Sequence, residues 1–210
     1  MDGGTKAPPY DLPRSNHCKA GVVLRAANQN KTIASGNRTA AIYSRRKLWY
    51  NLPNERKGVF MVKVVFVCHG NICRSTMAQS VMTHLVKQAG LEEEFFIDSM
   101  ATSTEEIGNP PHHGTVRKLR QMGIPLVPHK ATQITWADYA RFDYIIAMDG
   151  WNIRNLHKML KGDPEGKVSK LLSFAGSGGD IADPWYTGNF DETYEDVLAG
   201  CQGLLAQLIK

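Results

Sequence analysis

The feature that most constrains this chain is a short apolar run that ends in a cysteine and leads directly into a tight loop and a helix. The run, Val-Val-Phe-Val at residues 64–67, is typical of a buried strand in a parallel sheet. Gly70 and Asn71 follow, and both tolerate the positive φ angles of a narrow loop. From Ser75 onwards, apolar residues recur at helical spacing. This order gathers the unpaired first-turn N–H groups of the helix into a nest that binds an oxyanion.

The side chains around this nest suit phosphate chemistry. Cys68 lies at the carboxyl end of the predicted strand, beside the positive end of the helix, where the thiolate form of a cysteine is favoured. Arg74 follows at C-x5-R spacing, and its planar guanidinium can hold two phosphate oxygens, which a lysine cannot do. Ser75 can donate a hydrogen bond to the sulfur. The alternative, a structural cysteine followed by a helix-capping pair, does not require every element in this order.

The rest of the chain alternates strand and helix signals. This alternation predicts an α/β fold, a Rossmann-like four-stranded parallel sheet flanked by helices on both faces, with the phosphate-binding loop after strand one. Ligands of such sheets bind at the carboxyl ends of the strands, where we expect Cys68, Ser99 and Asp149 to meet. The predicted strands cover residues 63–67, 94–99, 144–148 and 167–172. The predicted helices cover residues 76–90, 111–122, 135–139, 151–160 and 192–209.

A second loop offers a proton donor for a phosphate ester. It contains two acids, Asp180 and Asp183, among glycine, proline and aromatic residues. Pro184 restricts the backbone of Asp183, and Trp185 and Tyr186 can flank a phenyl ring. A phenolate leaving group has a conjugate acid of pKa about 10, so its protonation during bond cleavage is valuable. We therefore prefer Asp183 to Asp180 as the acid, with an aromatic turn that merely covers the core as the alternative.

The sequence Val-Cys-His-Gly-Asn-Ile-Cys-Arg-Ser at residues 67–75 resembles the active-site signature of the low molecular weight protein tyrosine phosphatases. C-x5-R alone is shared by several phosphatase folds, and the Gly-Asn-Ile-Cys inside it makes the resemblance specific. The resemblance covers residues 61–210 and leaves out residues 1–60. It continues through Ile97-Asp98-Ser99, His129-Lys130-Ala131, Phe142-Asp143-Tyr144, Met148-Asp149 and Asp183-Pro184-Trp185-Tyr186.

The resemblance implies an enzyme that hydrolyses phosphotyrosine on proteins, and aryl phosphates, with no cofactor and no metal. Cys68 would be the nucleophile, Arg74 the phosphate clamp and Asp183 the general acid and base. Ser99 and His129 would support the loop by hydrogen bonds, although a lone histidine is more often a satisfied surface or core residue. The implied substrate-binding residues are His69, Gly70, Asn71, Ile72, Cys73, Ser75, Trp185 and Tyr186.

One feature of the sequence departs from the pattern of this family, and a histidine pair needs its own interpretation. Residues 101–108 are polar and acidic where many members have an aromatic residue after strand two. This difference fits the bacterial branch of the family better than the animal one, and it leaves the peptide preference open. The pair His112-His113 opens a predicted helix, and we expect it to be solvated rather than a metal site.

Charge separates the chain into two parts. Residues 1–60 contain 11 Lys/Arg and 3 Asp/Glu, a balance of +8, whereas residues 61–210 contain 14 and 17, a balance of −3, giving +5 in total. The predicted phosphatase domain at 61–210 is therefore not expected to bind nucleic acid. Residues 1–60 show no sustained periodicity, so we expect a disordered or non-native extension, with a targeting segment or a basic tail as alternatives.

The cysteines and the hydropathy indicate the compartment. The four cysteines form no C-x2-C pair and no zinc-ligand spacing, which favours reduced thiols in a cytoplasmic enzyme. No apolar run is long enough to span a membrane, and no secretory signal is evident. We expect phosphotyrosine-containing proteins as partners, no membrane association, and a monomer or weak dimer.

Other activities remain open alternatives. Arsenate reductases of similar fold use further cysteines downstream, but the only later cysteine here is Cys201, in the last predicted helix. Protein arginine phosphatases resemble this chain more closely, but they carry a threonine where this chain has Ile72, and an apolar wall favours tyrosine. A silent phosphate-binding module would not need nucleophile, arginine and acid together.

The second cysteine of the loop predicts a redox property. We expect Cys73 to form a protective disulfide with Cys68 under peroxide, unless it only packs beneath the loop.

Overall fold

The computed structural model describes residues 61–210, so the predictions for residues 1–60 lie outside the described residues. The predicted fold class is confirmed, because four parallel strands form one sheet with helices on both faces. The strands are β1 (Val62–Cys68), β2 (Phe95–Ala101), β3 (Tyr144–Ala147) and β4 (Val168–Lys170). Their order in the sheet is β2-β1-β3-β4, which makes β1 a central strand.

Six α-helices and two 3₁₀ turns accompany the strands in the described residues. The 3₁₀ turns are Glu92–Glu94 and Leu171–Ala175. None of the helices in this part of the chain is long and apolar enough to cross a membrane. The helices are α1 (Arg74–Gln88), α2 (His113–Gln121), α3 (Trp136–Tyr139), α4 (Gly150–Met159), α5 (Pro184–Thr187) and α6 (Phe190–Leu208).

All predicted strands and helices are present, with two differences that matter. Strand four was predicted over residues 167–172, but β4 ends at Lys170 because Leu171–Ala175 turns into a 3₁₀ helix. The second difference is α5, which lies in the acid loop and was not predicted as a helix. Elsewhere the bounds shift by at most two residues, as element ends commonly do.

β1 is held from both faces, and this fixes the position of Cys68. Val64 and Phe66 lie in the core that α1 and α6 build, whereas Val65 and Val67 lie in the core that includes residues from α3 and α4. All four side chains are fully buried, and each contributes about 1.5–3 kcal/mol on burial. The alternation of side chains along a strand therefore anchors β1 on both sides, and its carboxyl end is a rigid base for the loop that follows.

Candidate active site

The loop from Cys68 to Arg74 folds around the cysteine sulfur. The backbone N–H of Asn71 donates to Cys68 Sγ at 3.2 Å, and Asn71 has a φ of 59°, as its position in a narrow loop predicted. No acidic residue lies in the first turn of α1, and no side chain caps it. The first N–H groups of α1 are therefore available to an anion above the sulfur.

Gly70 differs from its prediction, because it does not adopt a positive φ. A Cβ at this position would lie 3.1 Å from Cγ of Glu106. The glycine therefore permits a close approach between the loop and the segment after β2, rather than a special backbone angle.

The side chain of Asn71 is the centre of a buried hydrogen-bond network. Its Nδ2 donates to Ser75 Oγ and to Ser99 Oγ, both at 2.9 Å. Its Oδ1 accepts from the backbone N–H of Thr132 at 3.1 Å and pairs with His129 Nε2 at 2.7 Å. The network joins the loop, α1, β2 and the segment before α3, and so braces a backbone conformation that costs energy.

The direction of each hydrogen bond in this network follows from the donors available. The N–H of Thr132 can only donate, so it identifies Oδ1 of Asn71 as the acceptor, and His129 must carry its hydrogen on Nε2. Burial lowers the pKa of His129 below its ordinary value and outweighs the charge of Asp98, which acts in the other direction. The lowered pKa favours the neutral ring. Ser75 Oγ accepts from Asn71, so its own hydrogen is free for Cys68 Sγ at 3.0 Å. When Cys68 is a thiolate, which can only accept, its sulfur receives hydrogen bonds from both Ser75 Oγ and the N–H of Asn71.

Gln79 belongs to this network but was not found from the sequence. Its Oε1 accepts from Ser99 Oγ at 2.7 Å, and its Nε2 donates to the carbonyl oxygen of Ile97 at 3.3 Å. A signal was present, because Gln79 lies one turn after Ser75 among the buried residues of α1. A polar residue on a buried helix face needs a partner, but the sequence does not name it.

Arg74 is almost completely buried, with 3% of its surface exposed. One terminal nitrogen donates to Asp149 and to the carbonyl oxygen of Ile181, and the other donates to Asp183. Nε has no hydrogen-bond partner within residues 61–210. A buried donor without a partner costs about 1–3 kcal/mol or more, and an oxyanion beside Arg74 would satisfy it.

The electrostatics of the site keep Arg74 cationic. Burial by itself lowers the pKa of Arg74, but the opposite charges of Cys68 and Asp183 and the hydrogen bond to Asp149 outweigh it, so the pKa is raised. Asp149 also caps α4, accepting from the N–H of Asn152 at 2.6 Å. The sequence placed Asp149 near the site without a role, and the structure shows that it orients the guanidinium.

Of the two candidate acids, the structure brings Asp183 to the site. Asp183 caps α5 by accepting from the N–H of Trp185 at 3.1 Å, while its second oxygen accepts from Arg74. Asp180 instead pairs with Lys170 at 2.9 Å, and this hydrogen bond lowers the pKa of Asp180. Asp180 is therefore held as a surface carboxylate outside the anion site.

A small cleft of about 100 Å³ lies over the sulfur. Trp185 and Tyr186 form its aromatic side and are 56% and 83% exposed, and Glu105 and Glu106 form the acidic side that the sequence predicted. The other residues that line it are Cys68, His69, Gly70, Ile72, Cys73 and Asp183.

Some predicted residues lie beneath the cleft instead of on its wall. Asn71, Ser75 and Ser99 are fully buried and reach the site through the network described above. Cys73 lines the cleft but is buried, and burial together with the nearby Cys68 raises its thiol pKa to about 12. In the described part of the chain, no three His, Cys, Asp or Glu side chains gather as metal ligands do.

The expectation that the histidine pair is solvated was wrong for His112. Its Nδ1 accepts from the N–H of Gly114 at 3.1 Å, which caps α2. Its ring stacks on Phe190 at 5.3 Å and meets the edge of Trp185 at 5.7 Å. Only His113 is exposed. His112 therefore links α2 to the helix of the acid loop.

The sheet order, the cysteine loop after β1 and the paired arginine define a class of phosphatase, and comparison with known proteins identifies it. The chain belongs to the low molecular weight phosphotyrosine protein phosphatase family, whose model matches residues 63–210. Members of this family are protein tyrosine phosphatases and hence phosphoric monoester hydrolases. The resemblance and the enzyme class inferred from the sequence are thereby confirmed.

The relatives are well covered by the described domain. The chain is 41% identical over 152 residues to the low molecular weight protein-tyrosine-phosphatase YfkJ of Bacillus subtilis, covering 71% of this chain and 97% of that protein. It is 37% identical over 151 residues to PtpA of Staphylococcus aureus strain MRSA252, covering 71% and 96%.

Solved structures agree in fold. The crystal structure of YfkJ matches with a TM-score of 0.69 and 42% identity, covering 71% of this chain and 95% of that one. A Drosophila protein described as an arginine phosphatase matches with a TM-score of 0.64 and 32% identity, covering 69% and 96%.

Proposed function

We propose that this protein hydrolyses phosphotyrosine on proteins through a phosphocysteine intermediate, with Cys68 as nucleophile, Arg74 as phosphate clamp and Asp183 as general acid and base. One observation carries the proposal: the sulfur that receives two hydrogen bonds at the cleft floor lies in the same loop as a buried arginine with an unpartnered Nε. Membership of the family supports phosphotyrosine as the substrate class.

In the first step, the thiolate of Cys68 attacks phosphorus in line with the phenolic oxygen. A sulfur–phosphorus bond forms and the phosphorus–oxygen bond breaks. The loop N–H groups and Arg74 stabilise the charge on the equatorial oxygens. The free hydrogen of Ser75 is positioned to stabilise the sulfur before attack and again when it leaves.

Asp183 would change partner when substrate binds. Without an anion, its carboxylate accepts from Arg74, and an incoming phosphate competes for that guanidinium. Asp149 holds the other terminal nitrogen, so Arg74 stays in place while Asp183 is released. The freed Asp183 takes up a proton from solvent and gives it to the phenolic oxygen as the phosphorus–oxygen bond breaks. It then takes a proton from the water that attacks the phosphocysteine; the sulfur–phosphorus bond breaks, phosphate leaves and the thiolate is regenerated.

Two rival activities fit the residues less well. The similarity to a described arginine phosphatase makes phosphoarginine the nearest competitor, but Ile72 gives the cleft an apolar wall that suits a phenyl ring. An arsenate reductase needs a second accessible thiol, whereas Cys201 is fully buried, its pKa is raised by burial, and its Sγ contacts the carbonyl oxygen of Ala78.

The proposal includes phosphotyrosine-containing proteins as partners and a reducing compartment such as the cytoplasm. Cys68, Cys73 and Cys201 are free thiols in the described part of the chain, which is the state that a reducing compartment maintains.

Turnover of two matched peptides tests the substrate class. One carries phosphotyrosine and the other phosphoarginine at the same position, and kcat/KM is measured for each with the full chain. We expect phosphotyrosine to be preferred, and we expect Ile72→Thr to shift the ratio towards phosphoarginine. A wild-type preference for phosphoarginine would overturn the assignment.

A further inference from the structure

Two of the grooves that adjoin the catalytic cleft in residues 61–210 differ in charge. The first has a volume of about 680 Å³ and shares Ile72, Glu106 and Trp185 with the cleft. It continues along α2, where Arg117 and Arg120 line it. We call this channel the α2 groove. Any chain that leaves the cleft past Trp185 on this side enters it.

Positive charge dominates the α2 groove. Arg117 and Arg120 are spaced i and i+3 on α2, so their side chains share one helix face. Both are exposed, and neither forms an ion pair with an acid of residues 61–210. Lys118, which lies between them in sequence, is buried and paired with Asp191 at 2.8 Å. The two arginines are thus the cations of α2 that remain free to meet a ligand.

The other charged groups of the groove do not cancel this charge. Glu106 is the one carboxylate on its wall and accepts from Nδ2 of Asn109 at 2.7 Å. The neutral amide leaves the charge of Glu106 in place, so two guanidinium groups face one carboxylate. Burial, and then the charges of His113 and Arg117, lower the pKa of His112, so His112 itself adds no fixed charge. The positive charge of the α2 groove is local, because the domain as a whole is acidic: residues 61–210 contain 14 Lys/Arg and 17 Asp/Glu, a balance of −3.

The second groove has the opposite character. It has a volume of about 560 Å³, shares Asp183 and Tyr186 with the cleft, and is also lined by Asp149 and Asp180. Each of these three carboxylates accepts a hydrogen bond from an arginine or lysine of the same domain. The one arginine or lysine on its wall, Arg74, is paired with Asp149 and Asp183, so the second groove offers no free cation comparable to the arginines of α2.

We propose that the α2 groove is a substrate subsite that binds acidic side chains of the phosphoprotein, on one side of the phosphotyrosine. The inference rests on the proposed function, because the phosphotyrosine must occupy the cleft for its neighbours to pass Trp185. Guanidinium groups bind carboxylates through paired hydrogen bonds, and two of them on one helix face can hold one or two acidic side chains. The subsite thus gives the polar cleft a peptide preference.

A position scan with the full chain tests the subsite. Phosphotyrosine peptides carry one aspartate at successive positions on either side of the phosphotyrosine, and each is matched by the same peptide with asparagine there. We expect kcat/KM to favour aspartate about three- to tenfold on one side only, because exposed ion pairs are worth modest energies. The preference should shrink as salt is raised. Each aspartate-to-asparagine ratio of kcat/KM is measured with one enzyme, so a change in the rate of the chemical step affects both peptides equally and cancels.

Two variants assign the preference to the groove. R117Q/R120Q should bring the aspartate-to-asparagine ratio to about one, and R117E/R120E should bring it below one. R154Q is the matched control, since it removes an exposed arginine that lies against Trp151 at 3.9 Å on α4, and it should keep the ratio of the wild type.

The possible failures are distinguishable. If the asparagine peptides are hydrolysed but no position favours aspartate, or if R117Q/R120Q keeps the wild-type ratio, the subsite is refuted and the phosphatase assignment stands. An equal loss of the ratio in R154Q would assign the preference to long-range charge and refute the subsite. If no phosphotyrosine peptide is hydrolysed, the proposed function fails and the subsite fails with it.

Discussion

A single residue, Asn71, both shapes the catalytic loop and connects it to the rest of the domain. Its backbone adopts a φ of 59°, and its side chain makes four hydrogen bonds to Ser75, Ser99, His129 and Thr132. The same network orients the hydroxyl that faces the sulfur. Asn71 therefore controls the nucleophile without needing to touch the substrate through its side chain.

Replacing Asn71 by alanine should damage both stability and activity. The variant leaves buried groups without partners and retains a strained φ, so the free energy of unfolding should fall by about 2–4 kcal/mol. Because the loop is no longer held in place, kcat should fall about tenfold or more. Urea denaturation and turnover of p-nitrophenyl phosphate measure the two effects.

Lys161→Ala is the control for this prediction. Lys161 is exposed and is the other non-glycine residue with positive φ in the described part of the chain, at 54°, but it has no part in the loop network. It should keep the wild-type kcat. Equal activity of the Asn71 and Lys161 variants would show that the network does not support catalysis.

The identity of the acid can be tested by leaving-group dependence. Asp183→Ala should lower kcat about 10²–10⁴-fold for aryl phosphates whose leaving phenol has a high pKa, and less for activated ones, because only the former need a proton donor. Asp180→Ala is the matched control, since Asp180 lies in the same loop and pairs with Lys170. If Asp180→Ala shows the dependence and Asp183→Ala does not, the wrong acid was assigned.

Among the structural elements, the loop after β1 contains two thiols with different chemistry. Cys68 accepts two hydrogen bonds, whereas burial and the nearby Cys68 raise the pKa of Cys73 to about 12. Peroxide should therefore oxidise Cys68 first, and Cys73 could then condense with the sulfenic acid to form a disulfide. Cys73 must attack as the thiolate, which is scarce at neutral pH.

This difference predicts a pH dependence of oxidative protection. Below pH 12 the thiolate fraction of Cys73 rises about tenfold per pH unit, so disulfide formation should accelerate as pH rises from about 6.5 to 8.5. The measurement is the rate at which peroxide-treated enzyme loses its sulfenic acid, together with the activity regained on adding a thiol. Equal recovery of wild type and Cys73→Ala would remove Cys73 from this chemistry.

The sequence was most informative for elements with a clear period. Val64 to Val67 and the apolar stripe of α1 predicted the strand, the loop and the helix that build the site. The end of β4 was harder to predict, because the apolar residues after Lys170 fit a strand as well as a 3₁₀ turn. α5 is four residues long, no longer than α3, and it was missed because the glycine and proline residues around it indicate a loop.

The site residues also divide into those that the sequence could predict and those that it could not. Cys68, Arg74 and Asp183 could be proposed because their local motifs carry the chemistry. The roles of Gln79 and Asp149 depend on partners that are distant in sequence, Ser99 and Arg74, so the sequence could not assign them. Gly70 was interpreted by its flexibility, whereas the constraint is the side chain of Glu106, which lies 36 residues away in sequence.

At the scale of the whole molecule, the chain joins a basic segment to an acidic enzyme domain. The family match covers residues 63–210, and residues 1–60 show no sustained hydrophobic period. Deleting residues 1–60 should therefore leave kcat and the melting temperature nearly unchanged. Thermal denaturation and turnover of the truncated protein measure this. A melting temperature lower by several degrees would show that the segment contributes to the fold.

The most direct test of the central claim is to locate the phosphate during turnover. Wild-type enzyme is mixed with p-nitrophenyl phosphate, quenched within one turnover and examined by mass spectrometry, with Cys68→Ser in parallel. We expect phosphate on Cys68, none on the variant, and a variant rate below about one hundredth of the wild type, because an essential nucleophile is lost. Circular dichroism should show that the variant remains folded. Phosphate on another residue, or a folded Cys68→Ser enzyme that keeps more than about one hundredth of the activity, would contradict the account.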